Sequence, residues 1–385
     1  MTNSLSKLIL HKEIILKVFI KKHNGIIQGT DEWVSLRSGY IGGSEMSTIT
    51  GDNPYQNIYK LIQSKTGLSI FTGNLATRWG QSFEKITVKI MNLLLNTKIY
   101  ETGSVPGVIE TQRYSPDGLS VVGDAIVLFE FKSPFSKIPD GNVPVHYIPQ
   151  VKTGLCSIPI TDYALFVNNM YRLCSLDDDY YNQRFHKSDI KALVDIPEQM
   201  IPLAFGIIGF YQTDEQIIRF NNEYFPEDDE ESGDSIDIMT MSISNIVERK
   251  TKILDHLNEG KFVDIGKGHY YDMDMLLELL ENKYITADYL NPILINKHLW
   301  GREININETE VNFKSINIDK YSIVMPWKLF KSDIIRVERE KDYMLPYIDK
   351  INSVVHVIKK INSLDNINDK REMYNSMKKE GFDIC

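Results

Sequence analysis

The segment from Ala125 to Lys132, with the sequence Ala-Ile-Val-Leu-Phe-Glu-Phe-Lys, most constrains the fold of this 385-residue chain. It is short, apolar and bounded by turn residues, which predicts a strand buried inside a sheet. Glu130 and Lys132 stand two positions apart and therefore face the same side, whereas Phe131 faces the core. Charged side chains in an apolar strand cost free energy unless they have a purpose. We therefore interpret this strand end as a candidate site.

A tight turn, Ser115-Pro116-Asp117-Gly118, lies just upstream of this strand. An Asp, a Glu and a Lys that converge at the end of a β-hairpin suit metal-assisted phosphodiester hydrolysis. Two carboxylates hold a hard divalent cation, which polarises the phosphoryl oxygen and lowers the pKa of bound water, and a lysine positions the water or stabilises developing charge. Alone, the pattern is weak: an exposed salt bridge, a plain Asx turn at Asp117 and the nearer carboxylate of Asp124 remain alternatives.

Composition limits the class of protein. A hydrophobic content of 42% and a charged content of 25% are typical of a globular protein, and the length allows two or three domains, or one domain with a large insertion. No apolar run is long enough for a membrane span, and the amphipathic segment 1–26 lacks the features of a signal peptide. Three cysteines are too few for a disulfide framework or a four-cysteine metal site, which favours a reducing compartment.

The formal net charge of −9 argues against a nucleic-acid coat protein. It does not exclude an enzyme that acts on DNA, because only the local field in the binding groove matters. Acidic blocks at 177–179 and 227–231 predict solvated loops. Periodicity predicts helices over 1–26, 33–38, 59–65, 79–95, 143–155, 246–257, 273–280 and 343–361, a helix N-cap at Ser44, and strands over 105–110, 121–122, 125–132, 163–168 and 332–338.

Four motifs, of which the turn and strand above are one, follow one another along the chain. They are W-V-S-L-R at 33–37 with I-G-G-S-E at 41–45, W-G-Q-S-F-E at 79–84, the S-P-D-G and E-F-K pair, and Y-I-P-Q-V at 147–151. Over residues 28–170 this arrangement resembles the lambda exonuclease and YqaJ-type viral recombinase nucleases of the PD-(D/E)xK superfamily.

The resemblance implies an α/β fold of the restriction-endonuclease-like type, in which helices flank a central mixed β-sheet that carries a large insertion. We expect an N-terminal helical extension over 1–27 and a nuclease core over 28–174. An insertion of unknown role would cover 175–325, and residues 326–385 would return to the core through a strand and a long helix before a C-terminal tail.

The resemblance also implies roles for the site residues. The metal ligands would be Asp117, Glu130, Glu84 and the backbone carbonyl of Phe131. Lys132 would be the catalytic lysine, and Gln150 would lie near the catalytic centre. From the residues alone, Glu84 would be a solvated helix residue and Gln150 a surface amide.

A second group of residues would bind DNA. Arg37, Ser44 and Ser115 would grip a terminal 5′-phosphate, since the Arg fork matches phosphate oxygens and a helix N-terminus at Ser44 would offer free N–H groups. Trp33 would stack on a base or anchor the core.

The implied function is a Mg²⁺-dependent deoxyribonuclease with one or two ions, for which Mn²⁺ could substitute. It would be a 5′-to-3′ exonuclease on linear duplex DNA with 5′-phosphate ends, in viral recombination, repair or genome processing. A structure- or site-specific endonuclease and a catalytically weak nuclease-like DNA- or protein-binding module remain open.

The expected partners are double-stranded DNA ends. A single-strand annealing protein and a homo-oligomer are left open, and no membrane association is expected. With the Asn-, Ile- and Lys-rich composition, the resemblance implies a large DNA virus and thus an intracellular place in the host, in the cytoplasm or the nucleus.

Overall fold

The computed structural model describes residues 2–26, 30, 32, 37–173, 202–225, 238–259, 269–295, 300 and 319–381. Trp33, the acidic blocks at 177–179 and 227–231, and most of the predicted helix over 33–38 lie outside these ranges. All statements below concern the described residues.

Two sheets organise the chain. The strands are β1 (Ile41–Gly42), β2 (Val105–Pro106), β3 (Gln112–Tyr114), β4 (Gly118–Val122), β5 (Ala125–Lys132), β6 (Tyr163–Leu173), β7 (Ala204–Tyr211), β8 (Thr286–Tyr289), β9 (Ile293–Leu294) and β10 (Ile323–Glu338). A small sheet has the order β1-β3-β2, and a seven-stranded sheet has the order β4-β5-β6-β10-β7-β8, with β9 paired to β7. Only β5 and β6 run parallel in the large sheet, so it is mixed.

Helices cover both faces of the large sheet. They are α1 (Thr2–His23), α2 (Met46–Thr50), α3 (Ile58–Lys65), α4 (Leu75–Leu95), α5 (Ile148–Ser157), α6 (Asp214–Tyr224), α7 (Ile238–Asn258), α8 (His269–Glu281), α9 (Ile348–Asn362) and α10 (Ile367–Glu380). One face packs on α4, α7 and α8, and the other packs on α1 and α5. The predicted α/β fold with a central mixed sheet flanked by helices is therefore confirmed.

The strand β5 is apolar because it is covered on both faces. Phe129 and Phe131 enter the core with α4, while Ile126 and Leu128 enter the core with α5. A strand buried on both faces reads as a continuous hydrophobic run rather than as an alternating pattern. The charged pair at its end therefore interrupts an otherwise apolar layer.

The strand β10 joins the two halves of the large sheet. It has 16 residues, and its C-terminal half pairs with β6 while its N-terminal half pairs with β7. The described part of the 175–325 segment thus adds strands β7, β8 and β9 to the same sheet as β5. The four-part division of the chain stays a prediction.

Several element boundaries differ from those expected. The predicted strand over 105–110 is limited to Val105–Pro106, since Pro106 has no N–H to continue a ladder. The predicted helix from 343 begins at Ile348, after a 3₁₀ turn that contains Pro346. The predicted helix over 143–155 likewise begins as a 3₁₀ turn, and its α-helical part starts at Ile148. The other predicted helices and strands within the described residues lie where expected, and most are longer. The helices α6 and α10 and the strands β1, β3, β7, β8 and β9 were not predicted.

Among the residues that the structure describes, no helix is both long and apolar enough to cross a membrane.

A buried arginine joins α4 to α8. The Arg78 side chain is 8% exposed and donates hydrogen bonds to Asp274 Oδ1 (2.7 Å) and Glu281 Oε2 (2.9 Å) on α8. It also donates to the backbone carbonyl of Thr72. These bonds tie the helix that carries Glu84 to a helix of the 175–325 segment.

Replacing this arginine tests how strongly the two helices depend on each other. Hydrogen bonds to charged groups contribute about 1.5–3 kcal/mol, and water can hydrate the exposed part of both acids, so we expect Arg78→Ala to lower the free energy of unfolding by about 2–3 kcal/mol. The exposed pair Lys252–Glu248 gives the control, because Lys252→Ala should change the free energy of unfolding by less than about 0.5 kcal/mol. Urea denaturation measures both, and equal small effects would contradict the anchoring role.

Candidate active site

A groove of about 1040 Å³ lies beside the end of β5. Its lining contains the predicted residues Arg37, Ser44, Glu84, Ser115, Asp117, Phe131, Lys132 and Gln150. Glu130 lies directly beneath, fully buried, and bonds to Lys132. The structure therefore brings together all the predicted site residues that it describes.

The two carboxylates of the hairpin are held by different partners. Asp117 precedes β4 and accepts a hydrogen bond from the backbone N–H of Phe131 (2.7 Å). Glu130 accepts from Lys132 Nζ at Oε1 (2.5 Å) and from the hydroxyl of Tyr114 at Oε2 (2.9 Å). The β5 backbone therefore holds Asp117, whereas the side chains of Lys132 and Tyr114 hold Glu130.

Tyr114 fills the space under the site. Its ring lies so close to Gly43 and Gly154 that an added Cβ would stand 2.3 Å and 2.4 Å from ring atoms of Tyr114. Both glycines are thus required for close packing. Burial, and then the charge of Glu130, raises the pKa of Tyr114 well above its ordinary value, so the phenol remains a hydrogen-bond donor.

The lysine remains charged despite its position. Burial lowers the pKa of Lys132, but the charges of Glu130 and Asp117 outweigh that effect and raise it above the ordinary lysine value. Its Nζ also lies 5.1 Å from the centre of the Tyr147 ring, a cation–π distance. The site therefore contains a permanent cation beside two carboxylates.

The acidic groups repel one another. Burial, and then the charge of Glu130, raises the pKa of Asp117 well above its ordinary value. Burial also raises the pKa of Glu84 on α4; there the charge of Lys132 acts in the opposite direction, and the charge of Glu130 adds to the rise. A single lysine does not neutralise this set of carboxylates.

The donor set fits a hard divalent cation. Carboxylate oxygens are the ligands that Mg²⁺ prefers, and Mg²⁺ is usually bound by one or two carboxylates while it keeps several waters. Within the described ranges, no group of three or more Asp, Glu, His or Cys side chains is arranged to hold a metal ion. Two carboxylates with a backbone carbonyl and water are thus the ligand set that this site supports.

Arg37 belongs to a second cluster at the rim of the groove. Its Nη2 donates to the hydroxyl of Ser44 and to Glu45 Oε1, both at 3.3 Å. Buried Glu45 also pairs with Lys65 Nζ (2.8 Å) and accepts from the N–H of Gly42 (2.8 Å). The Arg37 side chain is 42% exposed and faces the groove. The contact with buried Glu45 sets its orientation.

The predicted N-cap role of Ser44 is wrong. Ser44 lies inside a 3₁₀ turn, and the cap positions are Gly42 for that turn and Glu45 for the short α2. The reason is that the helical turn already begins at Gly43, before Ser44, so the position that precedes α2 is taken by Glu45. Ser44 keeps its place beside Arg37.

The sequence motifs missed several residues of the site. Tyr114 and Arg113 directly precede the S-P-D-G turn, and both line the groove. Arg113 donates to the hydroxyl of Ser104 (3.0 Å) and to its carbonyl. Position next to the turn was the one available signal. No sequence signal pointed to Lys65, because its contact with Glu45 forms only when α3 packs near the turn Gly43–Glu45.

The charge of the groove differs from that of the whole chain. Four cationic side chains line it, namely Arg37, Arg113, Lys132 and Lys137, together with the acids Glu84, Asp117 and Asp140. A net charge of −9 for the chain is therefore compatible with a groove that accepts a polyanion.

Residues 32–164, which supply most of the groove, match the family model of the YqaJ-like viral recombinase domain. The resemblance predicted from the motifs is therefore confirmed for this segment.

Curated relatives come from African swine fever virus. A protein of the Badajoz strain is 29% identical over 219 residues, which is 49% of this chain and 61% of the relative. Its counterpart from a tick isolate from Malawi is 30% identical with the same coverage. The chain thus spans about three fifths of the length of these relatives.

Solved structures show a weaker likeness. An alkaline exonuclease from Laribacter hongkongensis is 23% identical, with a TM-score of 0.31, and the match covers 37% of this chain and 74% of that chain. The same enzyme in complex with dAMP matches with a TM-score of 0.30 and 23% identity, over 36% of this chain and 73% of that chain.

The raised pKa of Asp117 predicts how pH affects the metal-free protein. Because the folded-state pKa exceeds the unfolded value, the protonated carboxyl favours the fold at low pH, and this contribution is lost as pH rises through the folded pKa. Asn in place of Asp stays neutral and keeps an oxygen for the Phe131 N–H. With chelator present, we therefore expect Asp117→Asn to melt at a higher temperature than the wild type, by a margin that grows from pH 5 to pH 9. A constant margin would contradict the electrostatic cause.

Proposed function

We propose that this protein is a metal-dependent deoxyribonuclease that hydrolyses phosphodiester bonds. The observation that carries the proposal is the convergence of Asp117 and Lys132 on one groove that also presents Arg37, with Glu130 buried beneath and bonded to Lys132. The YqaJ-like domain over residues 32–164 supports the same class of enzyme.

The carboxylates of Asp117 and Glu130, with the Phe131 carbonyl, would hold Mg²⁺, or Mn²⁺ as a substitute, as one or two ions, and the role of Glu84 as a further ligand stays a prediction. A bound cation supplies Lewis-acid activation of the phosphodiester and of the attacking water. Lys132, which stays protonated beside Glu130, orients that water or stabilises the charge that develops on phosphate oxygens. Gln150 borders the same space on α5 and orients groups at the reacting centre.

Tyr114 helps to fix the orientation of Glu130. Its hydroxyl holds one oxygen of Glu130 while Lys132 holds the other. Because Glu130 is fully buried, water cannot replace either bond, and the carboxylate keeps one rotamer before substrate arrives. Such fixed geometry lowers the reorganisation that the reaction requires.

The substrate is proposed to be linear duplex DNA with a 5′-phosphate, degraded in the 5′-to-3′ direction. Arg37 offers a planar fork for phosphate oxygens, Ser44 adds a hydroxyl beside it, and Ser115 lines the adjacent wall. A terminal phosphate carries more negative charge than an internal one, which favours an end over a continuous strand at this rim.

The biological setting follows from the relatives. We propose a role in viral DNA recombination, repair or genome processing inside the host cell, in the cytoplasm or the nucleus. A single-strand annealing partner and a homo-oligomer stay predictions.

Cleavage of DNA by paired variants tests the site. On 5′-phosphorylated linear duplex with Mg²⁺, we expect Lys132→Ala and Glu130→Gln to lower kcat about 100-fold or more, since each removes a fixed charge at the reacting centre. Asp124→Asn is the matched control: Asp124 is exposed in the β4–β5 turn and does not line the groove, so its activity should equal that of the wild type. Equal activity in all four proteins would refute the assignment.

Two further outcomes of this assay separate the alternatives. Cleavage of closed circular DNA at a rate similar to that of linear DNA would identify an endonuclease. No cleavage of any DNA by the wild type, with binding retained, would identify a nuclease-like binding module.

The role of Arg37 predicts a dependence on the chemistry of the DNA end. Hydrogen bonds to a charged phosphate contribute about 1.5–3 kcal/mol, so Arg37→Ala should lower kcat/KM at least tenfold on 5′-phosphorylated ends and much less on 5′-hydroxyl ends. Arg37→Lys keeps the charge but lacks the fork, and should recover only part of the loss. An equal loss on both kinds of end would contradict the phosphate grip.

A further inference from the structure

Two polar atoms in the wall of the groove have no partner within the described protein. They are the hydroxyl oxygen of Ser133 and the side-chain oxygen Oδ1 of Asn168. Both residues are more than nine-tenths buried, at 7% and 6% exposure, and both line the groove. A buried polar atom without a hydrogen bond destabilises a folded protein, so a site that retains two of them calls for an explanation.

The sheet register places Asn168 beside the lysine. Asn168 on β6 is the register partner of Lys132 on β5 and of Asp333 on β10, so the three side chains form a row on one face of the sheet. Asp117 lies on the other side of β5, next to β4, so Asn168 marks the flank of Lys132 that faces away from Asp117. Ser133 directly follows Lys132 at the end of β5 and lines the same groove.

The two neighbours of Asn168 in this row already have partners. Lys132 Nζ donates to Glu130 Oε1 (2.5 Å), and Asp333 Oδ2 accepts from the N–H of Gly141 (2.6 Å). The loop that Asp333 holds forms part of the groove wall. Asp333 thus holds the loop and Glu130 holds the lysine. The side-chain oxygen of Asn168, between Asp333 and Lys132 in the row, has no hydrogen bond.

Unpaired buried atoms elsewhere in the described residues belong to a different environment. Trp79 Nε1 and Ser332 Oγ are examples, and neither residue lines the groove. Ser332 immediately precedes Asp333 on β10, where the alternation of a strand directs its side chain to the opposite face. It is therefore a matched comparison for Ser133, with the same chemistry but no access to the groove.

We propose that Ser133 and Asn168 form a binding subsite for a phosphate oxygen of the DNA strand, on the β6 side of Lys132. The inference rests on the proposed nuclease function. The Ser133 hydroxyl donates one hydrogen bond, and the Asn168 carboxamide donates another through its NH₂ end, which a half-turn of the amide exchanges with the oxygen. The ammonium of Lys132 complements the negative charge. Contacts of this kind hold the strand in register without reading its sequence.

The first test compares Ser133→Ala with Ser332→Ala. Affinity for a 5′-phosphorylated duplex is measured by fluorescence anisotropy with Ca²⁺ present, kcat/KM is measured with Mg²⁺, and the melting temperature is measured without DNA. We expect Ser133→Ala to melt at or above the wild-type temperature and to weaken Kd and kcat/KM about tenfold, as the loss of a hydrogen bond to a charged group predicts. Ser332→Ala should melt similarly and leave both DNA parameters unchanged.

The second test distinguishes a donor from an acceptor at Asn168. Asn168→Ala should weaken Kd about tenfold, and Asn168→Asp should weaken it further, because a carboxylate repels the phosphate and donates nothing. An Asp variant that binds as tightly as the wild type would overturn the donor role and point to a bound water or a cation.

The two proposals can fail separately. Wild-type Kd and kcat/KM in both Ser133→Ala and Asn168→Ala, with an active wild type, would overturn the subsite alone. If the wild type cleaves no DNA, the nuclease function fails, and the anisotropy measurements still decide whether the subsite binds the duplex. Should Asn168→Ala fail to fold, Ser133→Ala decides the question.

Discussion

The buried ion pair between Lys132 and Glu130 at the end of β5 is the contact on which the rest of the site depends. Glu130 has no exposed surface, so its charge must be satisfied by protein groups, and it is satisfied by one ammonium and one phenol. The phenol belongs to Tyr114, whose ring requires the space beside Gly43 and Gly154. Because the Tyr114 ring must lie where its hydroxyl reaches Glu130, only glycine fits at position 43, in the turn before α2, and at position 154 in α5.

This arrangement favours chemistry at the expense of stability. Asp117 and Glu84 have raised pKa values because burial and the charge of Glu130 disfavour their ionised forms. Two further polar atoms, on Ser133 and Asn168, lack protein partners. Violations of the ordinary rules of burial often mark places where a protein binds or reacts, and this groove combines two such atoms with two acids of raised pKa.

Local patterns predicted the residues that share one strand or one turn. Glu130 and Lys132 were recognised because a strand has a period of two, and Asp117 because its turn is tight. The support beneath Arg37 escaped prediction, since Lys65 meets Glu45 only through tertiary packing of α3. Ser44 was misread as an N-cap because a 3₁₀ turn begins one residue earlier, at Gly43, and moves the cap of α2 to Glu45. The full extent of β10 was also missed, because Pro326 in a strand interior argues against a strand from sequence alone.

The long β10 also bears on how the chain reaches its native state. The strand β6 is eleven residues long and almost entirely buried, yet one of its two edges is covered only by β10. During synthesis the ribosome must continue from Leu173 to Trp327 before pairing of that edge can begin, and to Glu338 before it is complete. Until then β6 presents a long apolar edge of the kind that invites pairing with other chains, and closing such a distant contact slows folding. The segment that carries the groove is therefore not a free-standing module: its sheet is completed by a strand that is made long after its own last residue.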